Sequence, residues 1–196
     1  MRRVGPDVAI DSMMGKLSSD VELRAKRIRL FLMDVDGVLT DGKLFYLPGP
    51  DGKIVETKGF NAQDGIALQW ARWHGMQTGV ISGRISPATE ERAQQVGMTY
   101  IYQGHIEKIP IFEEIIAKSG IPASDIAYAG DDLTDIPLLH RAGLAFAPAN
   151  AREEVRQAAH YVASAAGGNG AVRDMIEVLL RAQAKWDLVL QKYEVS

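Results

Sequence analysis

Two aspartates, Asp34 and Asp36, stand one residue apart directly after an apolar run, and another aspartate, Asp131, stands much later in the chain. Carboxylates offer only oxygen ligands, and Mg²⁺ prefers one or two of them together with water and substrate phosphate. The chain has no cysteine and its four histidines are scattered, so a zinc site is not expected. One carboxylate can attack phosphorus to form an aspartyl-phosphate while its neighbour moves protons. These residue types predict Mg²⁺-assisted phosphoryl chemistry.

Three further polar positions fit an anionic phosphate group. Ser82 and the backbone N–H groups around Gly83 can hold phosphate oxygens at the start of the following helix. Lys108 can neutralise charge on a transferring phosphoryl group. Each feature alone has an ordinary explanation, as a turn or as a solvated helix residue. These groups and the aspartates are expected at the ends of several different strands, and this combination favours a functional site.

The elements that would position these residues alternate along the chain. The apolar run "RIRLFLMDV" is typical of a strand buried on both faces. Later strands alternate with helices of about ten residues, which indicates βαβ units and a parallel sheet. We therefore predict an α/β fold with a doubly wound, Rossmann-like parallel sheet. If the first strand is central, the polar clusters meet in one crevice beyond the carboxyl ends of the strands.

One segment departs from this alternation. Two β-prone arms, Leu44–Leu47 and Ile54–Thr57, flank a turn rich in Pro, Gly and Asp, which predicts a β-hairpin insert at about residues 43–58. The intervals between the polar clusters are too short for a cap domain. We predict a leader with a short helix over residues 1–24, a single α/β domain over 25–185 that carries the polar clusters, and a C-terminal tail over 186–196. Residues 170–193 read as one long helix.

Composition narrows the possible partners. The chain of 196 residues has a net charge of −3, is 46% hydrophobic and 24% charged, and carries no cluster of Lys and Arg. Neither nucleic acid nor an anionic membrane is therefore expected as a partner. No apolar run approaches the roughly 18 residues of a membrane span, and no apolar segment follows the initial MRR as in a signal peptide. The expected location is cytoplasmic.

The motifs together resemble a known family. "DVDGVLTDG", "SGR", Lys108 and "GDDLTD" are similar, in order and spacing, to the four motifs of the haloacid dehalogenase-like phosphohydrolases. The resemblance implies that Asp34 is the nucleophile and Asp36 the general acid and base. It implies Mg²⁺ ligands at Asp34, the Asp36 backbone carbonyl and Asp131. It further implies phosphate binding by Ser82, Gly83 and Lys108, with support of the metal's water shell from Asp132 and Asp135. An aspartate at position 36, where ion-pumping relatives have threonine, implies hydrolysis.

The hairpin, "KGFNAQDG" and "GGNGAVR" extend the resemblance to the capless 3-deoxy-D-manno-octulosonate 8-phosphate phosphatases, enzymes of lipopolysaccharide precursor synthesis. The hairpin is too apolar for a free flap, so we expect hairpins to pair between subunits of a closed homo-oligomer, and the resemblance implies a tetramer. Arg173, after a glycine-rich segment that can flex, is expected to reach an anionic substrate, in its own site or in that of a neighbouring subunit. The implied substrate contacts are Asp36, Asn61, Ala62, Gln63, Asp64, Gly65, Arg84, Arg92 and Lys108.

Two alternatives remain open from the sequence. Phosphatases of nonulosonate 9-phosphates resemble the chain nearly as well, although they tend to have Glu where Arg84 stands, and Gln63 and Gln69 occupy positions that are often basic in the octulosonate enzymes. A receiver-like signalling domain also uses an acidic pocket, Mg²⁺ and a lysine. It would place its acidic pair and its phosphorylated aspartate on different strands, whereas Asp34 and Asp36 share one strand end.

Overall fold

The computed structural model describes residues 17–195. Its strands are β1 Leu30–Met33, β2 Phe45–Pro48, β3 Ile54–Thr57, β4 Gln77–Ile81, β5 Tyr100–Tyr102, β6 Ile126–Ala129, β7 Leu144–Ala147 and β8 Tyr161–Val162. Its α-helices are α1 Ser19–Arg27, α2 Ala62–Trp73, α3 Pro87–Gln95, α4 Ile109–Ser119, α5 Ile136–Leu139, α6 Glu153–Ala158, α7 Ala171–Ala182 and α8 Trp186–Lys192. An irregular helical turn over Val35–Leu39 follows β1, and a 3₁₀ turn over Leu133–Asp135 precedes α5.

Six of the strands form one parallel sheet in the order β5-β4-β1-β6-β7-β8. The chain runs outward from β1 on both sides, which confirms the predicted doubly wound topology with the first strand at its centre. Every residue of β1 is buried, and this double burial explains why its sequence is continuously apolar.

Helices cover both faces of the sheet. Phe31 and Met33 of β1 pack into a cluster with α1, α2 and α7, whereas Leu30 and Leu32 pack into a second cluster with α4, α5 and α6. Successive side chains of a strand point to opposite faces, so β1 contributes to both clusters in alternation. The parallel strands are thereby held rigidly, and their carboxyl ends lie at one edge of the sheet.

The predicted hairpin is present as a separate two-stranded sheet. β2 and β3 pair antiparallel with Phe45 opposite Thr57 and Leu47 opposite Val55. Its strands leave large apolar side chains exposed, with relative exposures of 55% for Leu47 and 66% for Ile54. Within residues 17–195 no cap domain interrupts the sheet, since the irregular turn, the hairpin and α2 are the only elements between β1 and β4.

The C-terminal region differs from the prediction of one long helix. The helix breaks after Ala182, and Ala184 adopts a left-handed conformation with φ of 53° before α8 begins. The break lets Trp186 turn back and pack edge-on against Trp70 at 5.6 Å between ring centroids. Val21, before the expected boundary at residue 24, and Trp186, beyond the expected boundary at 185, are buried in the same apolar cluster.

In the part of the chain that the structure describes, none of the helices combines the length and the apolar character needed to cross a membrane.

Candidate active site

The polar clusters converge as predicted at the carboxyl edge of the sheet. Asp34 directly follows β1, Ser82 directly follows β4 and Asp131 comes two residues after β6. Lys108 follows β5 and forms the N-terminal boundary of α4. Because β5, β4, β1 and β6 are neighbours in the sheet, their ends meet in one crevice.

Three carboxylates form an acidic cluster in this crevice. Asp34, Asp131 and Asp135 each have an oxygen within 4.8 Å of the others. Asp135 is fully buried and its oxygens are already occupied. Its Oδ1 accepts hydrogen bonds of 2.7 Å from both Lys108 Nζ and the Tyr128 hydroxyl, and its Oδ2 accepts from the backbone N–H groups of Asp131 and Asp132. Asp135 therefore supports the cluster, and Asp34 and Asp131 are the carboxylates with free ligand positions.

The electrostatics of Asp34 and Asp131 fit a hard divalent cation. Burial raises the pKa of Asp131 to about 7, with repulsion from Asp34 adding to the effect. Burial likewise raises the pKa of Asp34 to about 6, against the attraction of Lys108. Oδ1 of Asp131 is buried and has no hydrogen-bond partner among the described residues. A bound cation would supply the missing partner and favour both ionised carboxylates, so this oxygen-only set fits Mg²⁺.

Lys108 places a positive charge beside Asp34. Its Nζ lies 3.0 Å from Oδ1 of Asp34 and 2.7 Å from Oδ1 of Asp135, and only 4% of the residue is exposed. Burial alone would lower the pKa of Lys108, but the neighbouring carboxylates raise it above its ordinary value. Lys108 therefore stays protonated and can attract a phosphoryl group to the carboxylate of Asp34.

Asp36 points away from the acidic cluster. Its carboxylate accepts hydrogen bonds of 2.7 and 2.9 Å from Nζ of Lys58 and lies 3.8 Å from Nε of Arg84. The side chain of Asp36 is therefore not part of the metal-binding group, and only the expected role of its backbone carbonyl stays a prediction. One strand end thus delivers two carboxylates to two different surroundings, as separate nucleophilic and proton-transfer roles would require.

Lys58 was missed by the sequence analysis. Its side chain is fully buried, although the preceding strand β3 is largely exposed. A single lysine after a hairpin arm reads as a solvated residue, and the only local signal is the short spacing to "NAQDG" at the start of α2. Its burial results from the packing of the hairpin base against the turn after β1.

The loop after β4 presents both a buried hydroxyl and an exposed cation. Ser82 is 1% exposed, and its Oγ accepts a hydrogen bond of 3.2 Å from the backbone N–H of Arg84. Gly83 lies between them and is half-buried. The Arg84 side chain is 51% exposed and lies 3.8 Å from both Asp36 and Glu56. Arg84 is therefore free to exchange these loose contacts for a ligand.

The residues expected to touch substrate at the start of α2 fall into two groups. Asn61 is the N-cap of α2, with Oδ1 accepting from Gln63 N–H at 2.7 Å, and Ala62 and Gln63 are exposed. Asp64, in contrast, is fully buried and accepts backbone hydrogen bonds from Gly170 and Arg173. In the structure the oxygens of Asp64 hold the start of α7, and its expected contact with substrate stays a prediction.

Gly65 and Arg92 form a packed pair instead of two independent contacts. Gly65 is buried so close to the Arg92 guanidinium that a Cβ at position 65 would overlap it. Nη2 of Arg92 donates to the Asn61 carbonyl at 3.2 Å, and its Nε is buried without a hydrogen-bond partner among the described residues. Gly65 therefore gives space to the Arg92 guanidinium, and its expected contact with substrate stays a prediction.

Arg173 contacts residues of α2 and α7. Its guanidinium stacks 4.5 Å from the ring centroid of Trp70, and its Nε donates to Glu177 at 2.8 Å. Within the described part of the chain its side chain has no ion pair with the acidic cluster. Its side chain packs α7 against α2, and its expected role toward an anionic substrate, in this or a neighbouring site, stays a prediction.

Asn150 is a second residue that the sequence analysis missed. Its Nδ2 donates to the Gly37 carbonyl at 3.1 Å, and its Oδ1 accepts from the Gly167 backbone N–H at 2.6 Å. Asn150 therefore ties the turn that carries Asp36 to the glycine-rich segment before α7.

Asp132, expected to support the metal's water shell, is exposed and caps the following 3₁₀ turn through Leu133 N–H.

Comparisons with known proteins agree with this geometry. Residues 77–176 match the family model of the haloacid dehalogenase-like hydrolases. The 3-deoxy-D-manno-octulosonate 8-phosphate phosphatase KdsC of Escherichia coli (strain K12) is 39% identical over 187 residues, which cover 95% of this chain and 96% of that protein.

Solved structures show the same fold. The 3-deoxy-D-manno-octulosonate 8-phosphate phosphatase of Moraxella catarrhalis, crystallised with magnesium ion, phosphate ion and KDO, aligns with a TM-score of 0.85 at 37% identity, covering 90% of this chain and 99% of that one. A probable YrbI family phosphatase of Pseudomonas syringae aligns with a TM-score of 0.85 at 39% identity, covering 90% of this chain and 98% of that one. The chain therefore belongs to the haloacid dehalogenase-like hydrolases, in the family that includes the KdsC phosphatases.

Proposed function

We propose that the protein is a Mg²⁺-dependent phosphatase that converts 3-deoxy-D-manno-octulosonate 8-phosphate to 3-deoxy-D-manno-octulosonate and inorganic phosphate. The observation that carries the proposal is the division of the crevice into two parts. Asp34 lies with Lys108 and Asp131, where a phosphoryl group can bind, and Asp36 lies with Lys58 and Arg84, where a leaving group can depart. Family membership supports hydrolysis over the receiver-like alternative.

In the first step a carboxylate oxygen of Asp34 attacks phosphorus. The bond between phosphorus and the sugar oxygen breaks, the electron pair stays on that oxygen, and the protonated carboxyl of Asp36 supplies its proton. Lys108 and the Ser82 loop hold the phosphoryl oxygens during the transfer. A Mg²⁺ ion held by Asp34 and Asp131 would neutralise charge on the phosphoryl group. The products of the step are the free sugar acid and a phosphorylated Asp34.

In the second step water attacks the phosphorus of the aspartyl-phosphate. The Asp36 carboxylate accepts a proton from that water, and the bond between phosphorus and the Asp34 oxygen breaks. Inorganic phosphate leaves, Asp34 is again a carboxylate, and Asp36 again carries the proton with which it began. The two steps together consume one water for each ester.

Recognition of the sugar acid is assigned to the cationic side of the crevice. Arg84 is half-exposed and its contacts of 3.8 Å are loose, so a carboxylate on the substrate can replace them with a bidentate pair. Asn61, Ala62 and Gln63 at the start of α2, together with Arg92 of α3, whose guanidinium donates to the Asn61 carbonyl, form the proposed second side of the sugar site. A nonulosonate 9-phosphate is the alternative substrate, and both are acidic sugar phosphates.

We further propose that hairpins pair between subunits in a closed tetramer, and that the enzyme works in the cytoplasm. The exposed apolar residues of the hairpin support the pairing, since an isolated two-stranded sheet is marginal in water. Pairing would also cover a crevice that lacks a cap domain, and a closed site favours phosphoryl transfer.

The test is a phosphate-release assay with Mg²⁺ over four esters. These are 3-deoxy-D-manno-octulosonate 8-phosphate, a nonulosonate 9-phosphate, glucose 6-phosphate and p-nitrophenyl phosphate. We expect the highest kcat/KM on the octulosonate ester, no release in EDTA, and no release by the near-isosteric Asp34→Asn variant. The exposed Asp51→Asn variant in the hairpin turn is the matched control. Preference for the nonulosonate ester would establish the alternative, and turnover by Asp34→Asn would refute the proposed nucleophile.

A further inference from the structure

Lys58 belongs to a cluster of four charged side chains at the base of the hairpin, with Asp36, Glu56 and Arg84. Its Nζ is 2.7 Å from Oδ1 and 2.9 Å from Oδ2 of Asp36, and 3.6 Å from Oε1 of Glu56. Arg84 completes the group at 3.8 Å from each of these two carboxylates. The cluster joins the turn after β1, strand β3 and the loop after β4.

Lys58 makes hydrogen bonds to Asp36 but only a longer ion pair with Glu56. Both hydrogen bonds of its ammonium group go to Asp36, one to each oxygen, so they fix the orientation of that carboxylate. Glu56 contributes an ion pair without a hydrogen bond, since its buried Oε1 has no hydrogen-bond partner among the described residues. The Lys58 side chain is fully buried, and a buried ammonium group is stable only when it is paired. Lys58 is therefore held between Asp36 and the hairpin.

The two cationic partners of Asp36, Lys58 and Arg84, differ in their exposure to solvent. Lys58 has no exposed side-chain surface, whereas the Arg84 side chain is 51% exposed and makes only the longer contacts. An arriving anionic substrate can therefore withdraw Arg84 from Asp36 but cannot reach Lys58. Lys58 is therefore the buried partner of Asp36, and Arg84 the exposed one.

Glu56 connects this partner to the hairpin surface. Side chains alternate along a strand, and Glu56 pairs across the hairpin with Tyr46. Tyr46, Ile54 and Glu56 therefore share one face of the hairpin, and the opposite face carries Leu47 and Val55. The face that carries Glu56 is the one turned to Lys58 and Arg84, so the position of the hairpin determines the position of Lys58.

We propose that Lys58 is a positioning residue for the proton-transfer chemistry of Asp36, and that Glu56 holds Lys58 in place from the hairpin. The inference rests on the proposed function, in which Asp36 protonates the leaving oxygen and later accepts a proton from water. Lys58 transfers no proton and touches no substrate atom. It holds the Asp36 carboxylate in the rotamer that faces the leaving oxygen.

The test compares esters with different leaving groups in the full-length protein. Lys58→Met keeps the length of the buried side chain and removes the ammonium group. We expect kcat/KM for the sugar phosphate to fall about 100-fold, as for a misplaced catalytic group. The loss should be several-fold smaller for p-nitrophenyl phosphate, because nitrophenolate leaves with little help from an acid. Lys58→Arg should recover part of the loss, and Lys53→Met, whose side chain is 84% exposed in the same hairpin, should match the wild type.

A double-mutant cycle tests whether Lys58 acts through Asp36. If Lys58 acts through Asp36, adding Lys58→Met to Asp36→Asn should cause no further loss. Equal losses on both esters, or losses that multiply in the double variant, would overturn the proposal in favour of a structural role. Full turnover by Asp36→Asn alone would overturn the proposed function and with it this role of Lys58. If circular dichroism shows that Lys58→Met is unfolded, Glu56→Gln takes its place in the test. Glu56→Gln must then lose more kcat/KM on the sugar phosphate than on p-nitrophenyl phosphate, and equal losses on the two esters would refute the proposal.

Discussion

Gly37 lies directly against the carboxylate of Asp131. A Cβ at position 37 would overlap Oδ2 of Asp131, and Gly37 adopts a φ of 95° that side-chain-bearing residues rarely adopt. The turn after β1 therefore approaches the end of β6 so closely that only glycine fits between them. This approach brings Asp34 and Asp131 within reach of a single cation.

Gly37→Ala tests this approach. We expect the variant to lose Mg²⁺-dependent phosphate release and the Mg²⁺-induced rise in melting temperature, because the methyl group displaces Asp131. Gly52→Ala is the matched control, since Gly52 also has a positive φ, of 76°, but nothing lies within 4 Å of its added Cβ. The control should cost about 1–2 kcal/mol of backbone strain and keep the metal response. A normal metal response by Gly37→Ala would contradict this account.

The raised pKa values of Asp34 and Asp131 predict how the metal-free protein responds to pH. The folded protein keeps the Asp131 proton up to about pH 7 and the Asp34 proton up to about pH 6, whereas the unfolded chain releases both near pH 3.8. Between these values the folded state binds more protons, so the free energy of unfolding falls as pH rises.

We therefore expect the melting temperature in EDTA to fall from pH 4.5 to pH 8, and Mg²⁺ to restore it at pH 8, where both carboxylates are ionised. Asp131→Asn lacks one of the titrating groups and should show a shallower fall and a weaker response to Mg²⁺. Thermal unfolding followed by circular dichroism measures both effects. A fall equally steep in Asp131→Asn would show that other groups cause it.

Arg84→Ala should weaken binding of the acidic sugar phosphate. Loss of a charged hydrogen bond costs about 1.5–3 kcal/mol, so we expect KM for the octulosonate ester to rise about tenfold or more, with a much smaller effect on p-nitrophenyl phosphate. Arg27→Ala is the control, because Arg27 donates to the Ser124 carbonyl at the amino ends of the strands, away from the crevice. An equal effect on both esters would place Arg84 in phosphate binding instead of sugar recognition.

The proposed hairpin pairing predicts an effect of charge on assembly. Leu47 and Val55 lie opposite each other on one hairpin face and are 55% and 45% exposed. We expect light scattering to show a tetramer for the wild type and smaller species for a double variant with Asp at both positions. Lys53→Glu, in the turn of the same hairpin, should remain tetrameric. A monomeric wild type with full activity would refute the pairing.

The local pattern of the sequence predicted much of the molecule. The apolar run before Asp34 and Asp36 indicated a strand buried on both faces, and β1 is that strand. The hairpin arms were predicted to within one residue, because strand pairing follows from the turn residues between two β-prone segments. The meeting of Asp34, Ser82 and Asp131 at one edge followed from the parallel βαβ order. These features depend on neighbours in sequence or on topology alone.

Other features depend on contacts between distant segments. The hydrogen bonds of Asp64 to the start of α7, more than a hundred residues away, could not be read from the residues around it. Lys58 looked like a solvated lysine, and only the packing of the hairpin base buries it against Asp36. The break at Ala184 was hidden in a helical pattern because burial of Trp186 against Trp70 outweighs local helix propensity there. A side chain's partner is decided by which surfaces the fold brings together, and residue type and spacing do not contain that information.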